Sequence, residues 1–161
     1  MKKDSKGIKY KQRTISVWNE VAPFYHKRWA KNEVGPFGVT KKLLELSKIK
    51  KNDTVLDLAC GTGLVTKKLI RKVGSKGEIY AIDSSESAIK IAKRWTGSTK
   101  NLHFIRADAE KIQFNTKLDA ITCQYALFFF PNEQKVLKNM KKFLKKNGTI
   151  TLAVHGKYNV P

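Results

Sequence analysis

The nine residues Val55-Leu56-Asp57-Leu58-Ala59-Cys60-Gly61-Thr62-Gly63 run from an apolar stretch into two glycines, and a helical pattern follows at once. A strand turning so tightly into a helix belongs to the packing of helices on a parallel sheet. The same alternation continues down the chain. It predicts strands over 54–58, 78–82, 102–106, 118–123 and 149–154, with helices over about 63–73, 85–95 and 132–146. Gly74 to Gly77 should stop the first helix, Ser84 or Ser85 should cap the second, and Asn132 should cap the third, which Asn147-Gly148 should end. The expected class is α/β.

Upstream of this core the pattern is looser. Residues 1–12 carry lysines and little apolar material and read as a mobile basic tail. Ile15, Val17, Trp18, Val21 and Ala22 fit an amphipathic helix over 14–25 that ends near Pro23. Residues 32–38 hold Gly35, Pro36 and Gly38 and read as a loop, and 39–49 as a second helix. The expected organisation is a tail (1–12), N-terminal helices beside the ligand (13–50) and an α/β core (51–161).

Composition narrows the function classes. At 41% hydrophobic residues the chain is not disordered, and no apolar run approaches the roughly 18 residues of a membrane span. No apolar segment follows the charged N-terminus as in a secretory signal, so a cytoplasmic protein is expected. Cys60 and Cys123, with three scattered histidines, show neither a disulfide framework nor metal-ligand spacing. The net charge of +20 raises nucleic acid as a partner, but only five of the 33 basic residues are arginine, the residue suited to base and bidentate phosphate contacts. A lysine-rich solvated surface is the favoured reading.

The chemistry lies at the ends of the first three strands. Gly61 and Gly63 let backbone N–H groups approach a ligand at a helix N-terminus, where polar or anionic groups bind. A dinucleotide fingerprint wants a third glycine where this chain has Thr66. Asp57, in an apolar strand, needs a partner: it either caps the turn or meets an ammonium group or N–H donors. Asp83 ends the second strand 20 residues after Gly63, a separation that suits a carboxylate on ribose hydroxyls; its alternative is an N-cap. Asp108 follows the third strand and can accept an exocyclic amino group of a purine. Three acids at successive strand ends should meet in one crevice.

Asp57 to Gly63, Asp83-Ser84-Ser85 and Ala107-Asp108-Ala109-Glu110 resemble the successive cofactor motifs of Rossmann-like S-adenosylmethionine-dependent methyltransferases. They are most similar to the small-molecule group of ubiquinone and menaquinone biosynthesis. The resemblance covers about residues 14–156 and implies a parallel sheet of order 3-2-1-4-5 with helices on both faces. It implies S-adenosylmethionine as cofactor and a small-molecule methyl acceptor. The cofactor-binding residues it implies are Asp57, Ala59, Gly61, Gly63, Asp83, Ser84, Asp108, Ala109 and Gln124, with Gln124 beside the methionine portion. Trp18 to Tyr25 resembles the family's helix that closes over the cofactor, although His26 stands where aspartate is common.

No strong catalytic base stands out. His155, after the fifth strand, and Tyr25, on the closing helix, are the candidates, while His103, Trp18 and Trp29 read as packing residues. Members of the family it resembles continue past the fifth strand into a helix and a terminal β-hairpin, so a core truncated after strand five, without that hairpin, is expected. The fifth strand is then expected as an edge, apolar on both faces, calling for a second copy or a partner chain. The competing classes are a non-catalytic or split cofactor-binding module and a basic nucleic-acid-binding protein.

Overall fold

The computed structural model describes residues 2–156, with side chains from Lys6 onward. Five parallel strands, β1 (Thr54–Leu58), β2 (Glu78–Asp83), β3 (Leu102–Arg106), β4 (Leu118–Gln124) and β5 (Leu144–Ala153), lie in the order β3-β2-β1-β4-β5. The helices are α1 (Lys2–Tyr25), α2 (Thr40–Leu46), α3 (Leu64–Val73), α4 (Glu86–Thr96) and α5 (Glu133–Phe143). The expected sheet order is therefore the observed one.

Side-chain alternation divides the core into two layers. Leu56 and Leu58 of β1 join Ile121 and Cys123 of β4 against Val136, Met140 and Phe143 of α5. On the opposite face Val55, Ile79 and Ala120 pack on Leu43 and Leu44 of α2 and on Val65, Leu69 and Val73 of α3. Each fully buried leucine or valine contributes roughly 1.5–3 kcal/mol of transfer free energy. The two faces thus fix which way each strand-end side chain points.

Local chemistry sets the helix ends. α3 starts behind Gly63 in a left-handed conformation (φ 93°) and stops at Gly74 (φ 70°). Ser85 caps α4 by accepting from the Ala88 N–H, and Asn132 caps α5 by accepting from the Lys135 N–H. Both caps were expected.

Three sequence expectations need correction. Helix α1 runs unbroken from Lys2, so the proposed tail is helical over 2–12; Lys11 and the residues after it bury one face, which supplies the tertiary support a short polar segment lacks alone. Pro23 lies inside α1 rather than at its end. The chain passes instead into a π-turn over His26–Ala30 three residues later, closed by Lys31 N–H to the His26 carbonyl at 2.9 Å.

The third correction is at the last helix, which ends at Phe143 rather than 146. Leu118 pairs with Leu144 and Ala120 with Thr149, so residues 145–148 bulge from the strand. Lys145 is held there by Asp119, with Nζ 2.8 Å from each carboxylate oxygen. A Cβ on Gly148 would sit 3.0 Å from the Leu118 carbonyl oxygen and 2.9 Å from Leu144 Cδ2, so any larger residue would force the bulge to shift. β5 is an edge strand as expected, yet its faces are not bare. Ile150 and Leu152 pack on the α5 layer, Ala153 packs on the other layer, and the Thr149 hydroxyl donates to the Ser47 carbonyl.

Candidate functional site

The carboxyl ends of β1, β2, β3 and β4 open into one cleft of roughly 1130 Å³, part of it open to solvent. The strand ends and the turn after β1 form its floor. Its roof is one face of α1, on which Lys11, Thr14, Ile15, Trp18 and Tyr25 recur at helical spacing. Asp57, Ala59, Gly61, Asp83, Ser84, Asp108, Ala109 and Gln124 all line it. Gly63 and His155 do not.

The register of β1 and β4 places Asp57 opposite Thr122 on the α3 face of the sheet. Its buried carboxylate accepts from the Thr66 hydroxyl at 2.6 Å and the Thr122 hydroxyl at 3.2 Å. Burial pushes its pKa up to about 7, against those two hydroxyls. Thr66, read in the sequence only as the missing third glycine, is therefore a working member of the floor. Its signal was available: nine residues after Asp57, it falls on the first turn of α3.

Gly61 and Gly63 do different jobs. Gly61 has φ 53°, and a Cβ there would project into open space beside the ligand cleft. Gly63 has φ 93°, and a Cβ would come within 2.9 Å of Ala92 Cβ, so it sets the approach of α4 to the turn. Ala59 (φ 55°) and Tyr125 (φ 52°) also hold left-handed conformations at the cleft wall; such conformations concentrate at ligand sites.

Asp83 accepts from the Gly61 N–H and the Ser85 N–H, both at 2.8 Å, which locks the glycine turn to the end of β2. Burial raises its pKa against those N–H groups. Each oxygen keeps a lone pair for a ligand hydroxyl. Ser85 also ties floor to roof: its hydroxyl donates to the side-chain amide oxygen Oδ1 of Asn19 on α1 at 2.8 Å, and that oxygen also accepts from the Ser87 N–H. Asn19 and Ser85 are 66 residues apart, and no local pattern announces the pairing.

Asp108 accepts from the Glu110 N–H at 3.0 Å and from the Lys11 ammonium at 2.8 Å. Burial opposes its ionisation, but these two donors outweigh it and hold its pKa low. Lys11 was missed because it fell in the expected tail; carrying the helix back seven residues from Trp18 would have found it.

Aromatic rings close the remaining wall. Trp18 makes edge contacts with Tyr25 (5.2 Å) and Phe129 (5.5 Å), and Tyr25 with Phe37 (5.5 Å). Trp18 thus lines the cleft as well as packing the helix, whereas Trp29 packs on Tyr25 outside it. Burial and neighbouring Tyr125 push the Tyr25 phenol up to about 12, so it stays protonated. His155 stacks on Tyr125 at 4.6 Å and His26 packs edge-on against Trp95, both outside the cleft lining. His103 pairs with Glu78 at 2.7 Å on β3.

Two polar atoms of the cleft are buried without a partner among the described residues: Gln124 Oε1 and Thr62 Oγ1. Gln124 Nε2 donates to the Pro36 carbonyl, which orients the amide. A buried acceptor left unpaired is costly, and a ligand ammonium or N–H group would satisfy it. Free acceptors, a glycine cradle and two acids with remaining lone pairs fit an amino-acid nucleoside such as S-adenosylmethionine.

The methyltransferase domain family matches residues 49–160. The chain belongs to that family. It is 32% identical over 126 residues to the demethylmenaquinone methyltransferase of Staphylococcus aureus, covering 78% of this chain and 48% of that protein. It is also 32% identical over 142 residues to the ubiquinone/menaquinone biosynthesis C-methyltransferase of Pectobacterium atrosepticum, covering 81% and 57%. The chain spans about half the length of these relatives. The structure of a SAM-dependent methyltransferase from Aquifex aeolicus superposes with a TM-score of 0.67 at 24% identity, over 82% of this chain and 76% of that one.

Proposed function

We propose that this chain binds S-adenosylmethionine in the cleft and serves methyl transfer to a small-molecule acceptor. The observation that carries the reading is the convergence of Asp57, Asp83 and Asp108 on one cleft beside the unpaired Gln124 Oε1. Asp83 would hold the ribose hydroxyls, Asp108 an exocyclic amino group, and Gln124 with the Gly61 turn the methionine portion; Ala59, Ser84 and Ala109 would line the cofactor. Gly63 shapes the turn from outside the cleft.

When bound, the cofactor supplies an electrophilic methyl group on a positively charged sulfur. The chain's part is alignment and exclusion of water. The floor acids fix the nucleoside end, and the Trp18, Tyr25 and Phe129 rings form an apolar wall that favours a cation and a flat acceptor. Tyr25, protonated at any physiological pH, acts as a hydrogen-bond donor rather than a base. His155 does not line the cleft and stacks on the ring of Tyr125, which does.

The outer edge of β5 has no strand partner among the described residues, and we assign it as the place where a second copy or a partner chain would pair. A cytoplasmic setting is part of the proposal: Cys60 and Cys123 are free and buried, and no described helix is long and apolar enough to cross a membrane.

Calorimetry tests the cofactor reading directly. S-adenosylmethionine should bind at one site per chain, and a radiolabelled methyl group should appear on an acceptor from a panel of small aromatic compounds. Absence of binding overturns the site; binding without transfer to any acceptor favours a cofactor-binding module.

A further inference from the structure

Asp108 lies two strands across the sheet from Asp57, and the cluster around it is unevenly filled. Lys11 Nζ stands 2.8 Å from Asp108 Oδ2 and 3.2 Å from Glu110 Oε2. All three side chains are largely covered, at 23%, 25% and 12% exposure respectively. Asp108, which lines the cleft, has one oxygen on Lys11 and the other on the Glu110 N–H. Glu110 does not line the cleft, and its Oε1 is buried with no partner among the described residues. On the acid facing the ligand each oxygen already has a donor, one of them the Lys11 ammonium that itself lines the cleft, while the acid behind it has an oxygen with no donor among the described residues.

A purine amino group arriving at Asp108 meets an ammonium already there. The ammonium cannot leave the cluster without stranding two neighbouring carboxylates, which is unfavourable in a half-buried site. It can move a short way to the unfilled oxygen. We propose that Lys11 is a movable residue of the ligand site, handing Asp108 to the incoming amino group and transferring to Glu110, whose free carboxylate oxygen is kept for it. This rests on the reading of Asp108 as the amino acceptor. Because Lys11 belongs to α1, the transfer keeps the roof tied to the floor while the ligand acid is released. Glu110 is a positioning residue: it acts through Lys11 and never touches the ligand.

The test is calorimetric titration of the full chain with S-adenosylhomocysteine and with its inosyl counterpart, whose purine carries an oxygen in place of the amino group. E110Q removes the charge that receives Lys11 and should weaken the adenosyl ligand about tenfold, while the double variant K11M/E110Q returns it to within about threefold of wild type. The inosyl ligand, unable to displace Lys11 from Asp108, should change less than about twofold in E110Q. K11M alone should bind the adenosyl ligand about threefold more tightly, which decides the matter even if E110Q folds poorly by circular dichroism.

Equal loss in E110Q with and without Lys11, equal loss for both ligands, or no tightening in K11M overturns the transfer. If wild type binds neither ligand, the cofactor reading fails and the transfer with it. If wild type binds and D108A weakens only the adenosyl ligand, the cofactor reading stands whatever Glu110 does.

Discussion

The floor and the roof of the cleft are built from contacts of different reach. On the floor, Asp57 meets Thr66 nine residues away and, through the β1–β4 register, Thr122 across 65, and Asp83 meets Ser85 and Gly61 two and 22 residues away. On the roof, Asn19 meets Ser85, Pro36 meets Gln124, and Lys11 meets Asp108 across 66, 88 and 97 residues. The floor is fixed by turn chemistry and strand register, so it forms wherever those segments fold. The roof forms only once the sheet exists to receive it. Floor substitutions should therefore change stability and binding together, and roof substitutions should mainly change binding.

The largest expected effect is on the floor. Because the Asp57 carboxyl is raised from 3.8 to about 7, the folded state holds its proton over a range where the unfolded chain has lost it. The penalty is absent below pH 4, grows as pH rises, and is complete above about 7, on the order of 4 kcal/mol. Asp57→Asn removes it, so the stability of wild type relative to this variant should fall between pH 4 and 7 in denaturant titrations. A pH-independent difference would mean that the carboxyl is not held protonated.

Next, Asp83→Ala should weaken S-adenosylmethionine by about 100-fold or more in calorimetry, since it removes the ribose acceptor and frees the Gly61 turn. Gly63→Ala forces a Cβ against Ala92 and should lower unfolding free energy by about 1–3 kcal/mol, read as a drop in thermal midpoint. Asn19→Ala, on the roof, should cost about 1 kcal/mol of cofactor affinity, near fivefold, with a smaller change in midpoint. If it lowers the midpoint as much as Gly63→Ala, the division between floor and roof is wrong. The smallest effect is expected of His155→Ala, under about twofold in cofactor affinity, because its ring contacts Tyr125 from outside the cleft.

The legibility of the sequence follows the same division. The boundaries of β1 and β3 match their apolar runs, and the Ser85 and Asn132 caps match their residue types, because each is decided within a few residues. The three acids could be assigned to one edge because each ends a strand of a parallel sheet. The end of α5 was misplaced because Lys145, Lys146 and Asn147 continue a helical composition, while the pull of Asp119 on Lys145 and the fit of Gly148 against Leu118 come from a neighbouring strand. Residues 2–12 were misread for a similar reason. Their polarity suits a tail, and it is the ion pairs of Lys11 with Asp108 and Glu110 that tie that turn of helix to the sheet edge.

Periodicity and turn chemistry are local properties, and they suffice to specify the parallel α/β core, the glycine turn and the acids at its edge. Tertiary structure alone decided the partners of those acids. Asp57 satisfies its charge with Thr66 and Thr122, Asp83 with backbone N–H groups, and Asp108 with Lys11. A buried carboxylate takes whichever donors packing brings within hydrogen-bond distance, and that distance exists only after the chain has closed on itself.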